Sequence, residues 1–196
     1  MSSTSIVQQR LQSLRASLCS TPDIALFAIL DCAVDESLYG HLQLEPASTR
    51  VLCLYDGDPG IRYARYAPYL VQLHAQSPLC EAWLREGWLH HWGIFLGSPA
   101  EPEVLKRHLK RFLTFQDQGK TAWLRFYDPR VLRTLLPALS PGHCHDFFGN
   151  GVVSAYAAPS AASAFWKASS VSEGLMRQMA GAGKLQVSEV NIGASR

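Results

Sequence analysis

The chain has 196 residues, 47% of them apolar and 17% charged, a balance that supports a sizeable core and excludes a disordered polymer. A formal net charge of +2 is too small to imply nucleic-acid binding, and the longest purely apolar run, residues 24–30, is far too short to span a bilayer. Charge is unevenly spread: residues 1–150 hold 14 basic and 14 acidic side chains, whereas residues 151–196 hold four and two and are rich in Ala, Ser and Gly.

The first element is an amphipathic helix over residues 4–18, with Ile6, Val7, Leu11, Leu14 and Leu18 on one stripe. Residues 24–30 (IALFAIL) read as a strand buried on both faces. Asp35 is placed to cap a short helix carrying Leu38, Tyr39 and Leu42, and residues 50–55 form the next strand. Residues 56–60 (DGDPG) carry turn chemistry. Residues 67–73 read as a third strand, with Pro68 at its start or on an edge. A helix over 78–86 stops at Gly87. Residues 88–96 (WLHHWGIFL) predict a strand with Trp88, His90, Trp92 and Ile94 on one face. Ser98 to Glu101 predict a capping box, and the helix that follows turns Val104, Leu105, His108, Leu109 and Phe112 inward and Lys106, Arg107, Lys110 and Arg111 outward.

Asp117-Gln118-Gly119-Lys120 predicts a hairpin turn. Asp128 then caps a helix over 129–136, with Pro129 at its first position and Pro137 at its end. Residues 143–151 read as a loop with a short helical turn. Strands are expected at 151–158 and 164–169, a helix at 171–180, and either an edge strand or a loose tail at 185–192. The pattern predicts an α/β chain with a mixed β-sheet and helices packed on its faces. It divides into an N-terminal helix (1–23), a main domain (24–156) and a small C-terminal lobe (157–196).

The chemistry-bearing clusters favour structural roles. His143-Cys144-His145-Asp146 offers a thiol, two imidazoles and a carboxylate, but adjacent residues rarely converge as nucleophile and base. A zinc site from His143, His145 and His90 or His91 lacks paired ligand motifs, so no metal and no cofactor is expected. The glycines at 181 and 183 lack the spacing of a phosphate loop, and no hydrolase elbow or dinucleotide fingerprint occurs. For most of Trp83, Trp88, Trp92 and Trp123, core packing fits better than a binding platform. His108 reads as a packed, hydrogen-bonded core histidine. Arg125 and Arg130 flank Asp128 as an ion-pair network around a helix cap. The five cysteines are odd in number and form no C-x-x-C, which suits a reducing compartment. The first 18 residues contain no signal-peptide h-region, so a cytoplasmic location is expected.

Three blocks carry a resemblance. They are FAILDCAVDESLYGHL at 27–42, the segments within 67–98 that include WGIFLGS, and HLKRFLTFQDQGKTAWLRFYDPRVLRTLLPAL at 108–139 closing with FFGNGVVSAY at 147–156. Together they resemble the bacterial type VI secretion effector chaperones, or adaptors, catalogued as domain of unknown function 4123. Arg125 to Arg130 match the family's strongest block, and Trp92 to Phe95 its second. Cys32 stands where the family usually has a small residue, often Gly, and the C-terminal lobe is short. The resemblance implies a Gram-negative host and a non-enzymatic adaptor. Such an adaptor binds a toxin effector protein in the cytoplasm and loads it onto a trimeric secretion spike protein, with no nucleic-acid or membrane partner. Partner contact is then expected at Arg125, Tyr127, Asp128, Arg130 and Trp92, and in the C-terminal lobe. The rival expectations are a small thiol/His-dependent hydrolase using Cys144, and an immunity or regulatory binding module.

Overall fold

The computed structural model describes residues 3–74, 77–149, 151–170 and 185–192. In chain order the helices are α1 (Ser3–Leu18), α2 (Leu38–Gln43), α3 (Gly57–Arg62), α4 (Pro78–Arg85), α5 (Pro102–Lys110), α6 (Pro129–Ala138) and α7 (Pro141–Phe148). The strands are β1 (Ala25–Asp31), β2 (Val51–Cys53), β3 (Pro68–Gln72), β4 (Gly93–Ser98), β5 (Thr114–Asp117), β6 (Lys120–Trp123), β7 (Ala155–Ala161), β8 (Ala164–Ser170) and β9 (Leu185–Asn191). The helix expected at 171–180 lies outside the described residues.

The apolar run at 24–30 becomes β1, third in a seven-stranded sheet of order β2-β3-β1-β4-β7-β8-β9. Alternate β1 side chains serve two cores. Leu26, Ala28 and Leu30 face a cluster shared with Leu14 and Leu18 of α1, Leu38 of α2 and Trp83 of α4. Phe27 and Ile29 face a second cluster with Leu105 and Leu109 of α5, Leu132 and Leu136 of α6, and Phe147 and Phe148 of α7. The sheet is therefore the middle of three layers, and its central strands are apolar on both faces for that reason. Each fully buried large side chain stabilises the fold by roughly 1.5–3 kcal/mol of transfer free energy.

The α/β class with helices on the sheet faces is borne out. The strand directions are more uniform than the mixed sheet expected, because each pairing in the sheet is antiparallel. A strand covered on both faces has the same apolar pattern whichever way its neighbour runs, so its residues do not encode direction. The described residues of segment 157–196 supply β8 and β9 to this same sheet. Arg10 ties α1 to two segments far along the chain. Its guanidinium is buried, donates to the Ala162 carbonyl at 2.7 Å and to the Leu84 carbonyl, and lies 4.8 Å from the Trp88 ring centroid.

Four local expectations are corrected. The strand expected from residue 88 starts only at Gly93, because Gly87–Leu89 forms a 3-10 turn and His91 takes a left-handed conformation (φ 57°). Trp88 is held away from the strand by its own contacts: Nε1 donates to the Ala161 carbonyl at 2.8 Å and the ring stacks near Phe95. The capping box at Ser98 does not form. Ser98 ends β4, donates to the Val152 carbonyl at 2.6 Å, and α5 begins at Pro102 after Glu101. The DGDPG turn continues into α3. Residues 141–148 form a full helix behind the cap Ser140, whose Oγ accepts from the His143 N–H at 3.3 Å.

Gly93 and Gly149 are required by space as well as conformation. At Gly93 (φ 152°) a Cβ would lie 1.8 Å from the Ile29 carbonyl oxygen. Gly149 (φ 64°) ends α7 in a left-handed cap, and a Cβ there would meet the His108 ring at 2.3 Å.

Candidate functional site

The corner at residues 123–130 follows the hairpin β5–β6. Gln118 (φ 47°) and Gly119 (φ 77°) both occupy the left-handed region, the geometry of a two-residue type I′ turn. The chain then leaves the hairpin and enters α6 through Asp128-Pro129. Asp128 Oδ1 accepts from the Arg130 backbone N–H at 2.8 Å, so the expected cap is present. The same carboxylate accepts from Arg130 Nε at 3.0 Å and Nη2 at 2.6 Å, a bidentate pair.

Arg125 does not share that pair. Its guanidinium reaches Asp31, at the end of β1 and 1% exposed, which also accepts from the Ala33 N–H at 3.1 Å. The sequence reading missed this partner. Its signal was an acid closing an apolar strand run, where a buried carboxylate needs a counter-charge. Burial lowers the Arg125 pKa, but the hydrogen bond and charge of Asp31 outweigh it and the net direction is up. For Asp128, burial pushes the carboxyl up, and the hydrogen bonds from Arg130 reverse this, leaving the group below its ordinary value.

The five residues expected to touch a partner divide by exposure. Arg125 and Arg130 present half-exposed guanidiniums. Tyr127, Asp128 and Trp92 are buried. Tyr127 belongs to the core beneath α5–α7, and burial pushes its phenol well above the usual range. Trp92 lies in the opposite core, beside His41 (5.9 Å between ring centroids) and packed closely against Gly87.

The other clusters resolve as follows. Cys144 is buried in α7, and burial raises its pKa, which keeps the thiol protonated at neutral pH. His143 and His145 are exposed on the same helix. Among the described residues no group of three or more His, Cys, Asp or Glu side chains is placed to hold a metal ion. His108 is the core histidine expected: its Nε2 bonds the Phe147 carbonyl at 2.9 Å, and burial lowers its pKa. Tyr156 Oη donates to the same carbonyl at 3.0 Å, so one of the last carbonyls of α7 is satisfied by two side chains. A cleft of about 630 Å³ opens between the end of α1 and the ends of β1 and β3, lined by Arg15, Cys19, Thr21, Gln72 and His74; none of the expected contact residues borders it.

Trp83, Trp88 and Trp92 are core residues, whereas Trp123 is 58% exposed. It packs edge-on against Tyr55, 5.1 Å between centroids. Residues 61–66 (IRYARY) carry no regular hydrophobic period, and Ile61, Tyr63 and Tyr66 are exposed there. Their signal was the interleaving of aromatic and arginine side chains.

A family model described as Domain of unknown function (DUF4123) matches residues 26–146. The chain belongs to that family. The DUF4123 match begins in β1, ends in α7, and contains Trp92 and the whole corner at 123–130. It leaves out α1 and the strands β7, β8 and β9. No curated protein and no solved structure matched the chain. No helix among the described residues is long and apolar enough to cross a membrane.

Proposed function

We propose that this chain is a type VI secretion effector adaptor, which holds a toxin effector in the cytoplasm and brings it to a trimeric spike protein. The observation that carries the reading is the family match over residues 26–146, which contains the WGIFL and RFYDPRVL blocks on which the resemblance rests. Binding would raise the effective concentration of toxin at the spike without any covalent step. In this reading Arg125 and Arg130 offer their guanidiniums to the partner, while the buried Tyr127 and Asp128 between them position the backbone and the buried Trp92 packs the opposite core. The buried, protonated Cys144 favours this reading over a thiol hydrolase.

The test is co-expression with candidate toxin and spike proteins of the same host. Purification through the adaptor is expected to recover both, and deletion of its gene is expected to abolish toxin delivery while leaving self-protection intact. Recovery of neither protein, or loss of protection on deletion, would reject the reading. The second outcome would favour an immunity module.

A further inference from the structure

Helix α3 buries none of its six residues, although a helix this short has little stability from propensity alone. It is held from beneath. Gly60 sits against the Tyr55 backbone, so close that a Cβ would lie 2.8 Å from the Tyr55 carbonyl oxygen. Just beyond α3, Tyr69 Oη donates to the Ala64 carbonyl at 2.9 Å. The segment leaves its large side chains bare: Ile61 is 81% exposed, and Tyr63 and Tyr66 are about half exposed. Tyr55, the residue beneath Gly60, packs its ring edge-on against the exposed ring of Trp123, 5.1 Å between centroids.

The charges around the strip are unbalanced. Asp56, the acid at its base, is taken by Lys106 Nζ at 2.8 Å and by Lys110. Asp58 is the one carboxylate within α3. Among the described residues, neither Arg62 nor Arg65 forms a salt bridge. Aromatic rings alternating with arginines are the composition that dominates binding energy at protein interfaces.

We propose that the strip of Ile61, Tyr63, Tyr66 and Trp123, with Arg62 and Arg65 between them, docks a segment of a protein partner in which apolar side chains are interleaved with Asp and Glu. The apolar groups cover Ile61 and the rings, and the carboxylates pair with the two free guanidiniums. Two arginines beside Asp58 are too few for a nucleic-acid backbone. A second copy fits poorly, because a two-fold contact would bring four arginines together with only two Asp58 carboxylates from these segments and leave a positive excess. The strip is separate from the corner at 125–130. The proposal rests on the adaptor reading insofar as the segment belongs to the carried toxin.

A random 12-residue peptide library displayed on phage is selected on the full chain, with counter-selection on the doubly substituted Ile61→Asp/Tyr66→Asp chain. Enrichment of acidic, apolar peptides is expected. Their affinity is expected to fall about tenfold or more in Arg62→Glu/Arg65→Glu and in Trp123→Ala. These side chains are exposed, so the variants keep the native circular dichroism and melting temperature. No enrichment, enrichment of peptides without acidic residues, or equal binding by the variants each overturns the proposal. So does dimerisation through the strip in sedimentation. If the peptides fail while the toxin co-purifies, the strip is wrong and the adaptor reading stands; the reverse result separates them the other way.

Discussion

Asp128 shows how a side chain that looks like chemistry can be structural. It caps α6 and holds Arg130 in a bidentate pair, so both its oxygens are engaged within the chain. Asp128→Ala is expected to cost about 1–2 kcal/mol, the usual loss for an N-cap, in urea unfolding. Because its folded-state pKa lies below the ordinary 3.8, its contribution is present at neutral pH and lost as the pH falls below 3.8 through the folded value. Asp128→Asn is expected to flatten that part of the stability–pH curve. His108 acts in another window. Its folded pKa lies below the ordinary 6.5, so the unfolded chain takes up the proton first and stability falls as the pH drops below 6.5. His108→Gln keeps a donor for the Phe147 carbonyl, and its stability is expected to vary less with pH below 6.5; an unchanged slope would show that the imidazole is not the titrating group.

Element boundaries follow a repeated device. Helices α4, α6 and α7 each begin with a capping Ser or Asp followed by Pro: Ser77-Pro78, Asp128-Pro129 and Ser140-Pro141. The last is masked in the sequence by Gly142 and the His-Cys-His run after it, which resemble a loop. Ser98-Pro99 has the same two letters but ends a strand, since its hydroxyl is drawn to the Val152 carbonyl 54 residues away. Strand β4 depends on Gly93, where the sheet backbone approaches within the space of a methyl group. Gly93→Ala must push β4 away from β1 and is expected to cost more than about 3 kcal/mol, enough to reduce the soluble yield sharply. An alanine variant with a native melting temperature would show that the β1–β4 contact is looser than described.

The whole molecule is larger than its family-matched span. Strand β7 pairs with β4 and sends Ala155 and Ala157 to one core and Tyr156 and Ala158 to the other. Without it β4 becomes a long apolar edge, which invites pairing between chains. A chain ended at residue 154 is therefore expected to aggregate, although it keeps the entire 26–146 region. A monodisperse, cooperatively folding truncation would mean that the sheet is complete at β4. Arg10 makes the same point from the other end, since one buried guanidinium joins α1, α4 and the loop after β7.

The amino-acid sequence alone was sufficient for whatever depends on near neighbours. It defined the amphipathic α1, the two-faced burial of β1, the hairpin turn at 117–120, the Asp128 cap and the blocks that identify the family. Periodicity and capping act over a few residues, so their signals are written locally. Three features required the folded chain: the antiparallel sense of the sheet, the pairing of Arg125 with Asp31 94 residues away, and the exposure of Trp123 while Trp92 is buried. Each depends on which distant surface arrives to cover or pair a group. Contacts between residues far apart in sequence decide that, and no local pattern specifies them.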